Sequence, residues 1–204
     1  MVTIIDYGMG NLGSIQNMFK RIGVESEIAG DNDRIAAATR ILLPGVGAFD
    51  AAMEKIAEAG LTRLLYQKAK EEKVPVLGIC LGMQLLTNSS EEGKLQGLGW
   101  IDAQTVKFNF KGDTTLKIPH MGWNRIYTVN DNPLTAGLPE EPRFYFVHSY
   151  YVQANDPADV LSTTHYGSDF HSVIRHENIY GAQFHPEKSH KFGMKLLENF
   201  ARLS

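Results

Sequence analysis

The first half of the chain alternates short apolar segments with segments of helical spacing, and this alternation limits the fold more than any other feature. The apolar segments that predict β-strands are residues 2–7, 41–43 and 74–79. Apolar residues at helical spacing follow each of them, at Leu12, Ile15, Phe19 and Ile22, over about 49–59, and from Leu81 onward. Because strands separated by helices generally pair in parallel, we predict an α/β fold with a mostly parallel central sheet and helices on both faces.

The second half lacks long helices between its short apolar segments, so we predict that antiparallel strands are added to the same sheet. The predicted strands are residues 105–108, 125–129, 144–147 and 160–166. Segments 172–175 and 179–184 flank the polar turn His176-Glu177-Asn178, a pattern typical of a β-hairpin. A final helix is predicted over about 191–203. With 204 residues and no internal repeat or Pro/Gly linker, the sequence predicts a single domain over 1–204.

Composition argues against several classes of function. The formal net charge is −3 and the chain has no dense run of Lys and Arg, which argues against a nucleic acid or an anionic membrane as partner and favours a small-molecule substrate. No segment reaches the ~20 apolar residues of a membrane span and the start lacks a signal-peptide pattern, so we expect a cytoplasmic location. The histidines show no metal-ligand spacing, and we expect neither a metal nor a cofactor.

The single cysteine, Cys80, lies in the strongest local motif, Gly78-Ile79-Cys80-Leu81-Gly82, where an apolar strand turns sharply into a helix. A lone cysteine cannot form an intramolecular disulfide, so it is either a buried filler or a reactive thiol. The sharp turn strains the central residue and brings neighbouring chain close, which requires small residues around it. The helix N-terminus also favours the thiolate, the species that attacks. We therefore predict a nucleophile elbow.

The predicted general base is His185, in Gln183-Phe184-His185-Pro186-Glu187. Residues two apart on extended chain point the same way, so Glu187 can contact the imidazole of His185. Glu187 would orient that ring and stabilise its charged form, which is the role of the third member of a catalytic triad. The alternative is a solvated loop histidine beside a surface glutamate.

Donors for an oxyanion are predicted in Pro44-Gly45-Val46-Gly47, which follows the predicted strand 41–43. Its glycines permit a backbone that directs N–H groups at a developing negative charge, and the N–H of Leu81 is the second predicted donor. An ordinary turn would use the same residue types, and that alternative stays open.

A competing motif is Gly8-Met9-Gly10-Asn11-Leu12-Gly13, which follows a predicted strand, opens a helix and has Asp31 farther along the chain. This is the GxGxxG pattern of dinucleotide-binding folds. It supports a dinucleotide-binding module as the alternative function. That interpretation gives no role to the elbow, to the His185 and Glu187 pair, or to the glycine-containing turn 44–47.

In these motifs the chain resembles the class I, triad-type glutamine amidotransferases along essentially its whole length. Within that family it is most similar to the glutaminase subunits of imidazole glycerol phosphate synthases. Beyond the elbow and the segment around His185, the motifs that carry the resemblance are Asp6-Tyr7-Gly8-Met9-Gly10-Asn11, Pro44-Gly45-Val46-Gly47, Met121-Gly122-Trp123-Asn124 and Phe146-Val147-His148-Ser149-Tyr150.

The resemblance implies that Cys80 attacks the side-chain amide of glutamine, that His185 carries the proton to the leaving ammonia, and that water hydrolyses the γ-glutamyl thioester. Glu187 would hold His185 in place. The residues implied for substrate binding are Gly47, Gln84, Ser149 and Tyr150. In the family, the Gly45 peptide region completes the oxyanion hole only in the active arrangement, so we expect low activity without a partner.

The resemblance also implies a partner, a (β/α)8-barrel cyclase that receives ammonia through a protected tunnel and makes imidazole glycerol phosphate for histidine biosynthesis. The implied interface residues are Gly10, Asn11, Met121, Trp123, Asn124 and Lys188. For Trp123, a buried core position is an equally weighted alternative. Two alternatives to the function itself are the glutaminase subunit of a different synthase and a domain that has lost catalysis.

Overall fold

The computed structural model describes residues 1–110 and 115–203, and its central feature is a large mixed sheet. The first part of this sheet is built from β1 (Val2–Ile5), β2 (Ser26–Ala29), β3 (Ile41–Leu43) and β4 (Val76–Ile79). These strands pair in parallel in the spatial order β2, β1, β3, β4. Every residue of β1, β3 and β4 is buried, as expected for parallel strands that are covered on both faces.

Helices cover both faces of this sheet. Their bounds are α1 (Leu12–Arg21), α2 (Asn32–Ala36), α3 (Phe49–Glu58), α4 (Leu61–Tyr66), α5 (Leu81–Leu85) and α6 (His190–Arg202), and a π-helical turn over Gln67–Glu71 extends α4. In β3, Leu42 joins the apolar core formed with α1 and α6, whereas Ile41 and Leu43 join the core formed with α3 and α4. Alternate side chains of a strand point to opposite faces, so this short strand serves both cores.

The strands of the second half extend the sheet and add a small second one. They are β5 (Ser89–Ser90), β6 (Ala103–Lys107), β7 (His120–Arg125), β8 (Tyr127–Thr128), β9 (Arg143–His148), β10 (Tyr150–Ala154), β11 (Val160–Tyr166), β12 (Ser168–His176) and β13 (Ile179–Ala182). Strand β13 pairs in parallel with β4, and β12, β10 and β6 follow it with antiparallel pairing. Strands β7 and β9 form the separate antiparallel sheet. The predicted α/β fold is confirmed.

The predicted hairpin is present as β12 and β13, with His176 opposite Ile179 and Val173 opposite Ala182. Strand β12 begins earlier than predicted, at Ser168. The final helix, α6, lies within one residue of its predicted bounds. Within the described residues, no helix combines the length and the apolar character that crossing a lipid bilayer requires.

The single strand predicted over 125–129 is wrong. Arg125 ends β7 and Tyr127–Thr128 forms β8, while Ile126 between them is buried and donates its backbone N–H to the Pro142 carbonyl. Strand β7 pairs with β9 in the small sheet and β8 pairs with β11 in the large one. The chain therefore crosses from one sheet to the other at Ile126, which a local apolar pattern does not reveal.

The carboxyl ends of β3, β4 and β13 meet at one edge of the sheet because these three strands are parallel neighbours. Pro44 follows β3 directly, Cys80 follows β4 directly, and His185 lies shortly after β13. Ligands of open α/β sheets bind at this edge. The topology thus brings the elbow at Cys80, the predicted oxyanion loop 44–47 and the predicted base His185 to the same edge of the sheet.

Candidate active site

Cys80 occupies a strained turn between β4 and α5, with φ of 55° and ψ of −111°. A Cβ on Gly78 would lie 2.5 Å from the Gly82 carbonyl oxygen, and a Cβ on Gly82 would lie 2.0 Å from the Leu43 carbonyl oxygen. A side chain at Gly78 would push α5 away from β4, and one at Gly82 would push the turn away from β3. Both glycines of the predicted elbow are therefore required by close backbone approach.

His185 and Glu187 form a buried pair. The Nδ1 of His185 lies 2.8 Å from Oε1 of Glu187, and the two side chains are 4% and 2% exposed, which excludes the alternative of a solvated surface pair. The backbone N–H of His185 donates to the Tyr145 carbonyl at 2.9 Å, and the Ser189 hydroxyl donates to the His185 carbonyl at 2.6 Å. The other carboxylate oxygen of Glu187, Oε2, is buried and has no hydrogen-bond partner among the described residues.

The surroundings of His185 favour its charged form. Burial alone would lower the pKa of His185, but hydrogen bonds to Cys80 and Glu187 and the negative charge of both groups raise it to about 10. Because Nδ1 faces Glu187, the nitrogen that faces the sulfur is Nε2. His185 is thus protonated at neutral pH and can donate a proton on the side of Cys80.

The Cys80 sulfur and His185 line one cavity of about 340 Å³. The Cys80 sulfur also makes two long contacts. It lies 3.9 Å from Nε2 of Gln183 and 4.0 Å from the carbonyl oxygen of Val147. The structure therefore brings together the predicted nucleophile, base and orienting carboxylate. This arrangement is suited to nucleophilic acyl transfer.

The predicted oxyanion loop lies beside the elbow. Val46, Gly47 and Leu81 line the cavity. Gly45 lies against the elbow, where a Cβ would be only 2.8 Å from the backbone nitrogen of Gly82. Gly47 has φ of +107°, a conformation that favours glycine. The loop and Leu81 therefore border the space next to the sulfur, which is where oxyanion donors are needed.

The residues predicted to contact the substrate line the same cavity, namely Gln84, Ser149 and Tyr150. The side-chain nitrogen of Gln84 donates to the Tyr150 carbonyl at 3.1 Å and to Oε1 of Gln183 at 3.2 Å. Gln84 therefore ties α5 to the start of β10 and to the segment that leads to His185.

Glu92 also lines the cavity, although the sequence gives no signal for it. Its Oε2 accepts the N–H of Phe49, the first residue of α3, at 2.9 Å. Burial raises the pKa of the Glu92 carboxyl. In the sequence, Glu91-Glu92 looks like any exposed acidic pair, and only the tertiary structure turns Glu92 toward the site.

His148 lines the cavity and forms a pair with His120, which is also buried. His120 Nδ1 lies 2.9 Å from His148 Nε2, and His148 Nδ1 lies 2.8 Å from the Tyr150 carbonyl oxygen. A carbonyl only accepts, so His148 donates from Nδ1 and accepts from His120, while Asn124 Nδ2 donates to His120 Nε2 at 3.2 Å. Burial lowers the pKa of His148 to about 3 and that of His120 to about 4, so both rings are neutral at pH 7. The sequence reveals no role for this pair.

Met121 and Trp123, predicted to face a partner, lie on the surface of β7. Their exposed fractions are 62% and 47%, so the alternative of a buried core position for Trp123 is wrong. The Trp123 ring stacks on His190 with centroids 5.4 Å apart. Asn124 differs from both, because its side chain turns inward to the His120 ring and to the His165 carbonyl, at 2.9 Å from the latter.

The other residues predicted to face a partner flank the same edge of the sheet. Asn11 caps α1 through its side-chain oxygen, and Lys188 is exposed with Nζ 5.7 Å from the centre of the Tyr145 ring. Gly10 packs against the oxyanion loop, where a Cβ would lie 3.2 Å from the Cβ of Pro44. The GxGxxG motif thus opens α1 as predicted, but its central glycine is used for packing between chain segments.

The sequence matches the family model of class I glutamine amidotransferases over residues 3–203. It is 56% identical over 202 residues to the imidazole glycerol phosphate synthase subunit HisH 2 of Methanococcus maripaludis, with 99% of both chains covered. It is also 50% identical over 204 residues to the imidazole glycerol phosphate synthase subunit HisH of Sulfurimonas denitrificans, covering 99% and 98% of the two chains.

Solved structures show the same fold at low sequence identity. A glutamine amidotransferase crystal structure superposes with a TM-score of 0.73 at 15% identity and 100% coverage of both chains. The PurLQS structure from Thermotoga maritima gives a TM-score of 0.71 at 20% identity, with 98% and 96% coverage.

Proposed function

This chain belongs to the class I glutamine amidotransferases, and from that membership we propose that Cys80, His185 and Glu187 form its catalytic triad. The chain is the glutaminase subunit of an imidazole glycerol phosphate synthase and hydrolyses glutamine to glutamate and ammonia. One observation carries the assignment of the triad. His185 is hydrogen-bonded to Glu187 at 2.8 Å and lines the same cavity as Cys80.

In the first half-reaction, the Cys80 thiolate attacks the side-chain amide carbon of glutamine and the carbonyl oxygen becomes an oxyanion. The N–H of Leu81 and those of the loop 45–47 stabilise this charge. His185 then gives its Nε2 proton to the amide nitrogen, the carbon–nitrogen bond breaks, and ammonia leaves. The products are a γ-glutamyl thioester on Cys80 and a neutral His185.

In the second half-reaction, His185 takes a proton from water as the water oxygen attacks the thioester carbon. The carbon–sulfur bond breaks, glutamate leaves, and the thiolate and the imidazolium are restored. Glu187 keeps its hydrogen bond to Nδ1 throughout, which holds the ring in one orientation and stabilises its positive charge.

Substrate recognition is proposed for the other side chains of the cavity. Glu92 is a carboxylate on the cavity wall and is suited to the α-ammonium group of glutamine. Gln84 supports the wall formed by Ser149 and Tyr150, because it holds the Tyr150 carbonyl. The restricted volume of about 340 Å³ fits a single amino acid.

The partner subunit is proposed to be a (β/α)8-barrel cyclase that receives the ammonia through a protected tunnel. The exposed apolar side chains of Met121 and Trp123 support a docking surface near the site. We include Gly10, Asn11, Asn124 and Lys188 in this interface, with Asn124 contributing through its neighbours because its own side chain turns inward. Low glutaminase activity without the cyclase is expected.

We further propose that residues 1–204 form one amidotransferase domain and that the enzyme acts in the cytoplasm. The family match over 3–203 supports the first statement. The use of an unpaired cysteine as nucleophile supports the second, because reducing compartments keep thiols free.

The alternative functions receive less support. Packing of Gly10 on Pro44 accounts for the GxGxxG motif without a dinucleotide. The names of the relatives favour an imidazole glycerol phosphate synthase over another ammonia-dependent synthase. The presence of Cys80 and His185 in one cavity, with Glu187 paired to His185, argues against a domain that has lost catalysis.

Replacing the nucleophile tests this proposal. In complex with the cyclase, Cys80→Ala should lose roughly 10³-fold or more of its glutamine hydrolysis, because no group remains to form the thioester. Turnover of the complex with ammonium salts should stay at the level of the unaltered protein. Glutamate release and ammonium-dependent synthase turnover are the two measurements. Glutaminase activity retained in Cys80→Ala would refute the assignment.

A further inference from the structure

Tyr7 makes a short buried hydrogen bond to the backbone next to the oxyanion loop. The side chain is 4% exposed, and its hydroxyl donates to the Pro44 carbonyl oxygen at 2.6 Å. The mechanism described above gives this hydroxyl no task. A buried hydroxyl is unfavourable without a partner, so a phenylalanine would pack there equally well if the carbonyl needed no donor.

The carbonyl that Tyr7 holds belongs to the first peptide of the loop. The oxygen of Pro44 and the N–H of Gly45 lie in one planar peptide unit, so fixing the oxygen also fixes the direction of that N–H. The Tyr7 hydroxyl lies 3.0 Å from the point that a Cβ on Gly45 would occupy, and the same point is 2.9 Å from the Leu81 Cβ. The Tyr7 hydroxyl therefore contacts the loop at Pro44 and Gly45, where the loop packs against Leu81 of the elbow.

The segment that carries Tyr7 touches the loop at a second place. A Cβ on Gly47 would lie 2.8 Å from Cε of Met9, and a Cβ on Gly10 would lie 3.2 Å from the Pro44 Cβ. The loop is thus held at its first and last residues by one short segment that follows β1. Glycines inside the loop supply little stiffness of their own, so these outside contacts decide its position.

The phenol is a proton donor over the working pH range. Burial and, to a smaller extent, the negative charge of Cys80 raise the pKa of Tyr7 far above its usual range. The hydrogen bond to Pro44 therefore does not weaken as the pH rises toward that at which His185 loses its proton.

We propose that Tyr7 is a positioning residue whose hydroxyl fixes the Pro44–Gly45 peptide so that the loop presents its N–H groups to the oxyanion. This inference rests on the proposed function, because it assigns those N–H groups to the transition state of glutamine hydrolysis. Tyr7 is not among the described residues that line the active-site cavity, so its loss should act on the chemical step more than on binding.

The test is Tyr7→Phe, which removes the hydroxyl and keeps the ring. With the cyclase present, kcat for glutamine hydrolysis should fall about 10- to 100-fold while KM changes less than about twofold. Alkylation of Cys80 by iodoacetamide should proceed at the rate of the unaltered protein, because that reaction forms no oxyanion. Ammonium-dependent synthase turnover should also be unchanged, which shows that the variant folds and docks.

The matched control is Tyr180→Phe. Tyr180 is also a buried tyrosine, 6% exposed, but it lies on β13 next to Arg175, away from the active-site cavity. This variant should keep its kcat.

An unchanged kcat in Tyr7→Phe would overturn the inference, as would a parallel loss of kcat, alkylation rate and ammonium-dependent turnover, since that pattern indicates general structural damage. If the unaltered protein is not alkylated at Cys80 and releases no glutamate, the proposed function fails instead.

Discussion

His185 and His148 line the same cavity, yet their surroundings make His185 positively charged and leave His148 neutral. Burial is the largest influence on both rings and would lower both pKa values. His185 lies between Cys80 and Glu187, which raise its pKa to about 10. His148 has neutral partners, and its pKa falls to about 3. For these two histidines, the direction of the pKa shift is therefore set by the charge of the hydrogen-bond partners and not by the depth of burial.

The contrast has a chemical purpose. A second positive charge close to His185 would repel the imidazolium, and the positive charge of His185 indeed contributes to lowering the pKa of His148. Neutral His148 and His120 instead form a one-way chain of hydrogen bonds that ends on the Tyr150 carbonyl. His185 is thus equipped to move protons, whereas His148 and His120 hold the cavity wall at Tyr150.

Among the tests of the contrast between His185 and His148, the largest loss of activity is expected when the proton carrier His185 is replaced. His185→Gln should reduce kcat for glutamine hydrolysis on the order of 10³-fold, because the leaving ammonia then lacks its acid. The control is His165→Gln, which alters a histidine with the same kind of partner, Asp169 at 2.7 Å, but with both side chains exposed. That control should keep full activity. Equal activity of both variants and the unaltered protein would contradict the proposed role.

A smaller effect is expected from removing only the charge of the carboxylate. Glu187→Gln keeps an oxygen that can accept from Nδ1 of His185 but loses the negative charge, so the pKa of His185 should fall. We expect kcat to drop roughly 10- to 100-fold and the alkaline limb of the kcat/KM profile to move to lower pH. Asp169→Asn, beside His165, is the matched control and should leave the profile unchanged. A limb that stays in place would show that Glu187 does not set this pKa.

The smallest expected effect concerns acid stability. The pKa of His148 is about 6.5 in an unfolded chain and about 3 when folded, so between these values the unfolded state binds the additional proton. The free energy of unfolding should therefore fall by up to about 1.4 kcal/mol per pH unit on acidification from this group alone. His148→Gln should show a shallower decline between pH 6.5 and 4 in urea unfolding, whereas exposed His165→Gln should not.

His185 should contribute with the opposite sign. Its folded pKa is above its unfolded value, so its contribution to stability is complete below about pH 6.5 and is lost as the pH rises toward about 10. Identical acid slopes for His148→Gln and the unaltered protein would remove the thermodynamic basis of the contrast between the two histidines.

The parts of the site that could be predicted from the sequence are those whose chemistry is local. The elbow is readable because Gly78 and Gly82 flank Cys80 at the spacing that the turn requires. The contact between His185 and Glu187 is predicted, but for the wrong reason: the prediction places both residues on extended chain, whereas Glu187 lies in a 3-10 turn, Pro186–Lys188, that follows His185. The parallel first half is readable because its strands are buried on both faces and separated by helices.

The parts that could not be predicted depend on contacts between distant segments. Glu92 reaches the cavity only because it caps α3 at Phe49. His148 acquires its role from His120 on another strand. Strand β2 is missing from the prediction because it is an edge strand with a half-exposed, polar sequence. A local sequence pattern does not reveal contacts between residues that are far apart in the chain.

The Oε2 atom of Glu187, buried and without a partner among the described residues, reflects a balance between stability and activity. A buried carboxylate oxygen without a donor is destabilising, by roughly 1–3 kcal/mol or more for a charged group. Natural selection tolerates such local frustration where activity depends on it. Within the described part of the chain no donor faces that oxygen, whereas Oε1 is paired with His185. A substitution that places a donor there should therefore stabilise the fold but weaken the effect of the Glu187 charge on the pKa of His185, and activity should fall.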